Sequence, residues 1–82
     1  MATRKDLREW LIEALEVKKG SASIPEVCKY IWENYENELR RSGNLFFTWQ
    51  YDIRWAAKQL RDEGIMRPHE LSPRGIWELV QK

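Results

Sequence analysis

Residues 48–79 read TWQYDIRWAAKQLRDEGIMRPHELSPRGIWEL, and this stretch decides the architecture. On a wheel of about 100° per residue, Ile53, Ala56, Ala57 and Leu60 gather on one side with Trp49 at the edge. The spacing predicts a helix over 48–63, capped by Thr48, with Asp52 in its opening turn and Gly64 as its stop. Two apolar runs follow, Ile65-Met66 and Ile76-Trp77-Glu78-Leu79, separated by a loop containing Pro68, Pro73 and Gly75. Proline removes ladder donors and glycine relaxes the backbone, so the loop reads as the turn of a small antiparallel hairpin. Either Ile76 and Val80 or Trp77 and Leu79 form its inward set.

Working outward, the dense run Leu45-Phe46-Phe47 is too short for a helix of its own and is expected to plug the core as the chain turns. Ser42-Gly43-Asn44 breaks the preceding helix, which starts with a capping box of Ser23 and Glu26, tolerates Pro25 in its first turn and runs to about residue 41. Val27, Cys28, Ile31, Tyr35 and Leu39 share its apolar face. Before it, Ser21-Ala22-Ser23-Ile24 is a connector suited to a brief edge strand with Ile24 inward. A first helix over 3–19 is capped by Thr3, buries Leu7, Leu11, Ala14 and Leu15 with Trp10 on the flank, and stops at Gly20. Three helices followed by a hairpin give a mainly α chain with a small antiparallel β hairpin, the layout of a winged helix, in one domain over 1–82.

Composition narrows the functional classes. No apolar run nears the roughly 20 residues of a membrane span, and residues 1–6 lack the apolar segment of a signal peptide, so a cytoplasmic protein without membrane association is expected. The only cysteine, Cys28, excludes an internal disulfide and reads as a small core residue; the only histidine, His69, reads as a solvated loop residue. A Cys and His zinc site cannot be assembled from one of each, and each of the four glycines lies at an element boundary rather than in a phosphate loop. Neither an enzyme nor a metal or cofactor site is expected.

Charge points elsewhere. Residues 1–39 carry six Lys/Arg against eight Asp/Glu, whereas residues 40–82 carry eight against five, and the third helix and loop lie in this basic half. The outward side of the third helix presents Gln50, Tyr51, Arg54, Trp55, Lys58 and Arg61. A helix of this kind fits the major groove, with Gln50, Tyr51 and Arg54 placed for base edges and Lys58 and Arg61 for phosphates. Arg67 and Arg74 flank the loop and would extend the surface along the backbone or minor groove. Asp52, Asp62 and Glu63 oppose this by repelling phosphate. Trp55 is expected beneath the hairpin or the second helix. An alternative use of the same fold is a protein-contact or dimerisation surface built on Tyr30, Tyr51 and Trp55.

The segment Ile53-Arg54-Trp55-Ala56-Ala57-Lys58-Gln59-Leu60-Arg61-Asp62-Glu63-Gly64-Ile65-Met66, with Ser72-Pro73-Arg74-Gly75-Ile76-Trp77-Glu78-Leu79 after it, resembles the Mrr N-terminal winged-helix domain of restriction endonucleases. The likeness lies in an aliphatic-x-Trp-Ala helix, a Leu near its end, a Gly before the first wing strand and an Arg-Gly-aliphatic entry to the last. It implies a double-stranded DNA-binding module beside a nuclease domain or subunit outside these residues, with recognition mapped onto Gln50, Tyr51, Arg54 and Lys58 and wing contact onto Arg67 and Arg74. No nuclease signature of carboxylates and lysine occurs in the chain, and a homodimer stays open.

Overall fold

The computed structural model describes residues 2–80. Its elements, in chain order, are α1 (Arg4–Val17), β1 (Ser21–Ser23), α2 (Ile24–Arg40), α3 (Leu45–Asp62), a 3-10 turn (His69–Leu71) and β2 (Ile76–Glu78).

Local chemistry sets most of these boundaries. The Thr3 amide donates to the Asp6 carboxylate at 2.8 Å, opening α1. Its end is closed by the Gly20 amide donating to the Leu15 carbonyl at 2.7 Å, with Lys19 and Gly20 both at positive φ. The left-handed stretch thus begins one residue before the expected Gly20. At α2 the Ser23 amide donates to Glu26 at 3.0 Å and the Glu26 amide to the Ser23 hydroxyl at 3.3 Å, the reciprocal pair anticipated from the sequence. The Ser23 amide, and next the Ser23 hydroxyl, favour the charged form of the Glu26 carboxylate and hold it below the usual range. At Tyr35 α2 leaves helical geometry, where the ring stacks on Trp10 at 4.1 Å and the hydroxyl donates to Glu13 of α1.

The start of α3 corrects the sequence reading. Leu45, Phe46 and Phe47 form its first turn, and Asn44, not Thr48, is the capping position. Leu45 and Phe46 are half-buried against the core while Phe47 is 82% exposed, so the run does not act as a plug. Thr48 is inside the helix and donates its hydroxyl to Asp52 at 2.7 Å. Asp52 is itself buried and lies 3.4 Å from Arg4 of α1.

The hairpin is also redrawn. β2 pairs antiparallel with β1 in the register Ser21 to Glu78, Ala22 to Trp77 and Ser23 to Ile76. On the other side of β2 the Ile65-Met66 run contributes one bridge, Met66 to Leu79, flanked by bonds from the Arg67 amide to Glu78 and the Val80 amide to Ile65, each 2.9 Å. Pro68 and the 3-10 turn take the chain out of line after Arg67, so local pairing stops there and the distant β1 supplies most of the ladder. The inward set is Trp77 with the half-buried Leu79, whereas Val80 is exposed. In the connector Ala22 is the buried residue, not Ile24, which opens α2.

The core joins Leu7, Leu11, Ala14 and Leu15 of α1 to Trp49, Ile53, Ala56, Ala57 and Leu60 of α3, with Val27, Ile31 and Leu39 of α2 and Met66 and Trp77 closing it. The most extensive contact is between α1 and α3. No helix among the described residues is long and apolar enough to cross a membrane, and no group of three or more His, Cys, Asp or Glu there could hold a metal.

Candidate nucleic-acid interface

Burying Ile53, Ala56, Ala57 and Leu60 turns the other side of α3 to solvent. Gln50, Arg54 and Lys58 are exposed there, and Tyr51 is 77% exposed. Arg61 is half-buried one turn beyond Lys58. Because α3 begins at Leu45, Gln50 and Tyr51 belong to its second turn, and the exposed residue nearest its start is Phe47. Sequence reasoning missed Phe47. It lies four residues before Tyr51, and a wheel carried back past Thr48 would have set it on the outward side.

The loop closes over the C-terminal half of this surface. A cleft of about 390 Å³ forms between α3 and residues 69–77, with Arg54, Arg61, His69, Ser72 and Arg74 around it and Ile24, Ile76 and Trp77 contributing apolar walls. A neighbouring depression of about 470 Å³ shares Arg61 and His69 and adds Lys58 and Asp62. Arg54, Arg61 and Arg74 thus border the cleft, and Lys58 borders the adjacent depression that shares Arg61 with it. Arg67 does not: it lines neither, its amide is committed to Glu78, and its Nε is buried without a hydrogen-bond partner. The fold thus places the half-buried Arg67 outside both hollows.

No protein-family model, curated protein or solved structure matches this chain.

Electrostatics distinguishes the cations. Arg54, Arg61 and Arg74 enter no ion pair among the described residues, whereas Lys58 is 3.0 Å from Asp62 in an exposed i,i+4 pair. Such pairs are worth only a few tenths of a kcal/mol, about 0.3–0.5, so a stronger anion can compete for the ammonium. The carboxylates expected to repel phosphate are all occupied. Asp52 is buried towards Arg4, Asp62 holds Lys58, and Glu63 takes a two-pronged contact from Arg8 at 2.6 Å. Arg54 also lies close enough to Cys28 for its charge to oppose the rise that burial imposes on the thiol. Cys28 is half-buried and hence a wall residue of α2, as its apolar face implied.

The aromatic residues divide differently from expectation. Trp55 is half-buried and lies beneath the Arg4 guanidinium at 4.9 Å, on the α1 side rather than under the loop or α2. Tyr30 donates to Glu13 at 2.7 Å, between α1 and α2. Tyr30, Tyr51 and Trp55 therefore do not share one surface. His69 is exposed, as a loop residue should be, with Glu70 at 3.5 Å. Ser72 and His69 join the cleft only through the fold; nothing in their spacing relative to α3 marks them.

Proposed function

We propose that the protein is a winged-helix module that binds duplex DNA, with α3 laid against the DNA and the 67–75 loop as its wing. The carrying observation is the shared cleft of Arg54, Arg61 and Arg74, three guanidinium groups from two elements with no ion-pair partner among the described residues. Unpaired guanidinium forks suit phosphate oxygens in charge and geometry. The strand arrangement, with β2 between β1 and the Met66 segment, supports the winged-helix reading of the fold.

In this reading phosphate contacts by Arg54, Lys58, Arg61 and Arg74 supply affinity, while Gln50 and Tyr51 reach towards base edges. On this reading the chain itself performs no chemistry, and what the Mrr resemblance implies is a role in positioning a nuclease on DNA. Titrating a labelled duplex by fluorescence anisotropy at low and moderate salt tests the proposal. Binding at low salt that weakens as salt rises is expected; no binding at low salt overturns it.

One observation favours a second reading. Phe47 and Tyr51 are 82% and 77% exposed one turn apart on α3, an aromatic pair suited to contact with another protein or a second copy. Sedimentation decides this reading. A dimer that Phe47→Ser dissociates, together with failure to bind duplex DNA, would replace the DNA proposal.

A further inference from the structure

We infer that the cleft between α3 and the loop is a subsite for a phosphomonoester dianion, the terminal phosphate of a DNA strand or of a free nucleotide. The inference rests on the DNA-binding reading for its expected source and goes beyond it by naming the group the cleft selects.

Three features carry the inference. First, Arg54, Arg61 and Arg74 bring three permanent positive charges to one cleft with no carboxylate paired to them among the described residues. A terminal phosphate carries a charge of about −1.5 to −2 at neutral pH and offers three acceptor oxygens. An internal phosphodiester offers only two unbridged oxygens and a single charge, leaving more of this positive charge unmatched. Second, the Nε of Arg61 and the hydroxyl of Ser72, both from residues that line the cleft, are buried without a hydrogen-bond partner. Buried polar groups are normally satisfied, and a small shift of the Arg61 or Ser72 side chain towards the cleft would let an oxyanion supply the missing partner. Third, the cleft has room for more than the phosphate. Its volume of about 390 Å³ far exceeds the roughly 30 Å³ share of one water, and Ile24, Pro73, Ile76 and Trp77 provide an apolar wall for the attached sugar or base.

The test compares two duplexes of identical sequence, one with 5′-phosphate ends and one with 5′-hydroxyl ends, in unlabelled competition against a labelled duplex. A nucleoside 5′-monophosphate and inorganic phosphate form parallel arms, followed by the side-chain Nε–H signals of the arginines in NMR spectra. The phosphorylated duplex should bind at least tenfold more tightly. Arg61→Gln and Ser72→Ala should bring that ratio towards one, and well-dispersed spectra of both variants confirm that they fold. A nucleoside monophosphate that shifts the Arg61 signal and competes as well as the phosphorylated end would assign the source as a free nucleotide. Equal affinity for both duplexes with no movement of the Arg61 signal by either small phosphate overturns the subsite and leaves DNA binding standing. Small phosphates that move the signal while neither duplex binds sustain the subsite and overturn DNA binding. Failure of every ligand overturns both.

Discussion

The number of phosphates the surface neutralises can be read from the salt dependence of binding. Four cations border the paired hollows of α3 and the loop, Arg54, Lys58, Arg61 and Arg74. Each cation that displaces a condensed counterion adds about −0.9 to the slope of log affinity against log salt. On a duplex with 5′-hydroxyl ends, where no terminal phosphate can engage three arginines at once, all four together give a slope of about −3.6, so raising salt from ~50 to ~200 mM should weaken binding roughly 150-fold. If Asp62 keeps its hold on Lys58 in the complex, three contacts remain and the slope falls to about −2.7. Arg74→Ala should therefore flatten the slope by about 0.9, and Lys58→Ala by that amount or less. Arg40→Ala is the control, because that guanidinium is bonded to Glu36 at 2.7 Å and lies over the Trp32 ring. Anisotropy of a short labelled duplex over a series of salt concentrations measures all of these slopes. A wild-type slope near zero, or equal flattening by Arg40→Ala and Arg74→Ala, would refute the assignment of phosphate contact to this surface.

Other expected outcomes concern the scaffold. Ile53→Ala, at a fully buried position, should cost about 2–5 kcal/mol, whereas Phe47→Ser, at a site 82% exposed, should change stability by less than about 0.5 kcal/mol; thermal unfolding followed by circular dichroism compares them. Ser23→Ala removes the hydroxyl that caps α2 and should cost about 1 kcal/mol in a denaturant titration. Burial, and next the Glu13 carboxylate, push Tyr35 up to about 12. Its neutral form therefore stabilises the fold fully below the unfolded value of about 10, and that contribution disappears as pH rises from there through about 12. Tyrosinate absorbance should report this late ionisation, and Glu13→Gln should bring it to lower pH.

Features governed by near neighbours in sequence were legible. The capping pairs Thr3 with Asp6 and Ser23 with Glu26 span three residues each, and the buried set of α3 follows from helical spacing alone. The start of α3 was not legible, because Thr48 has the chemistry of a cap yet finds Asp52 as an internal partner, while half-burial of Leu45 and Phe46 draws the helix three residues further back. Strand pairing failed for the opposite reason: the partner of Trp77 is Ala22, far away in sequence, and the nearby Ile65-Met66 run offers only one bridge. Within the candidate site, helical period brought out Arg54, Lys58 and Arg61, and loop position brought out Arg74. It also brought in Arg67, which lines neither hollow, and it gave no sign of Ser72. Periodicity likewise could not place Trp55, whose neighbour Arg4 comes from the other end of the chain.

The contacts of α1 with the rear of α3 bear on how the module adapts to a ligand. Arg4 reaches Asp52 and covers Trp55, and further along Arg8 grips Glu63, so α3 is anchored near its middle and at its end by one neighbouring helix. Rotating or sliding α3 would break both anchorages and shear the packed seam beneath them. The loop is tied at both ends, by the Met66 to Leu79 bridge on one side and by the Ile24 amide donating to the Gly75 carbonyl at 3.2 Å on the other. A guest therefore meets Arg54 and Arg61 as a fixed jaw on α3, and any give in the opposite wall is confined to residues 68–74, between the two ties of the loop.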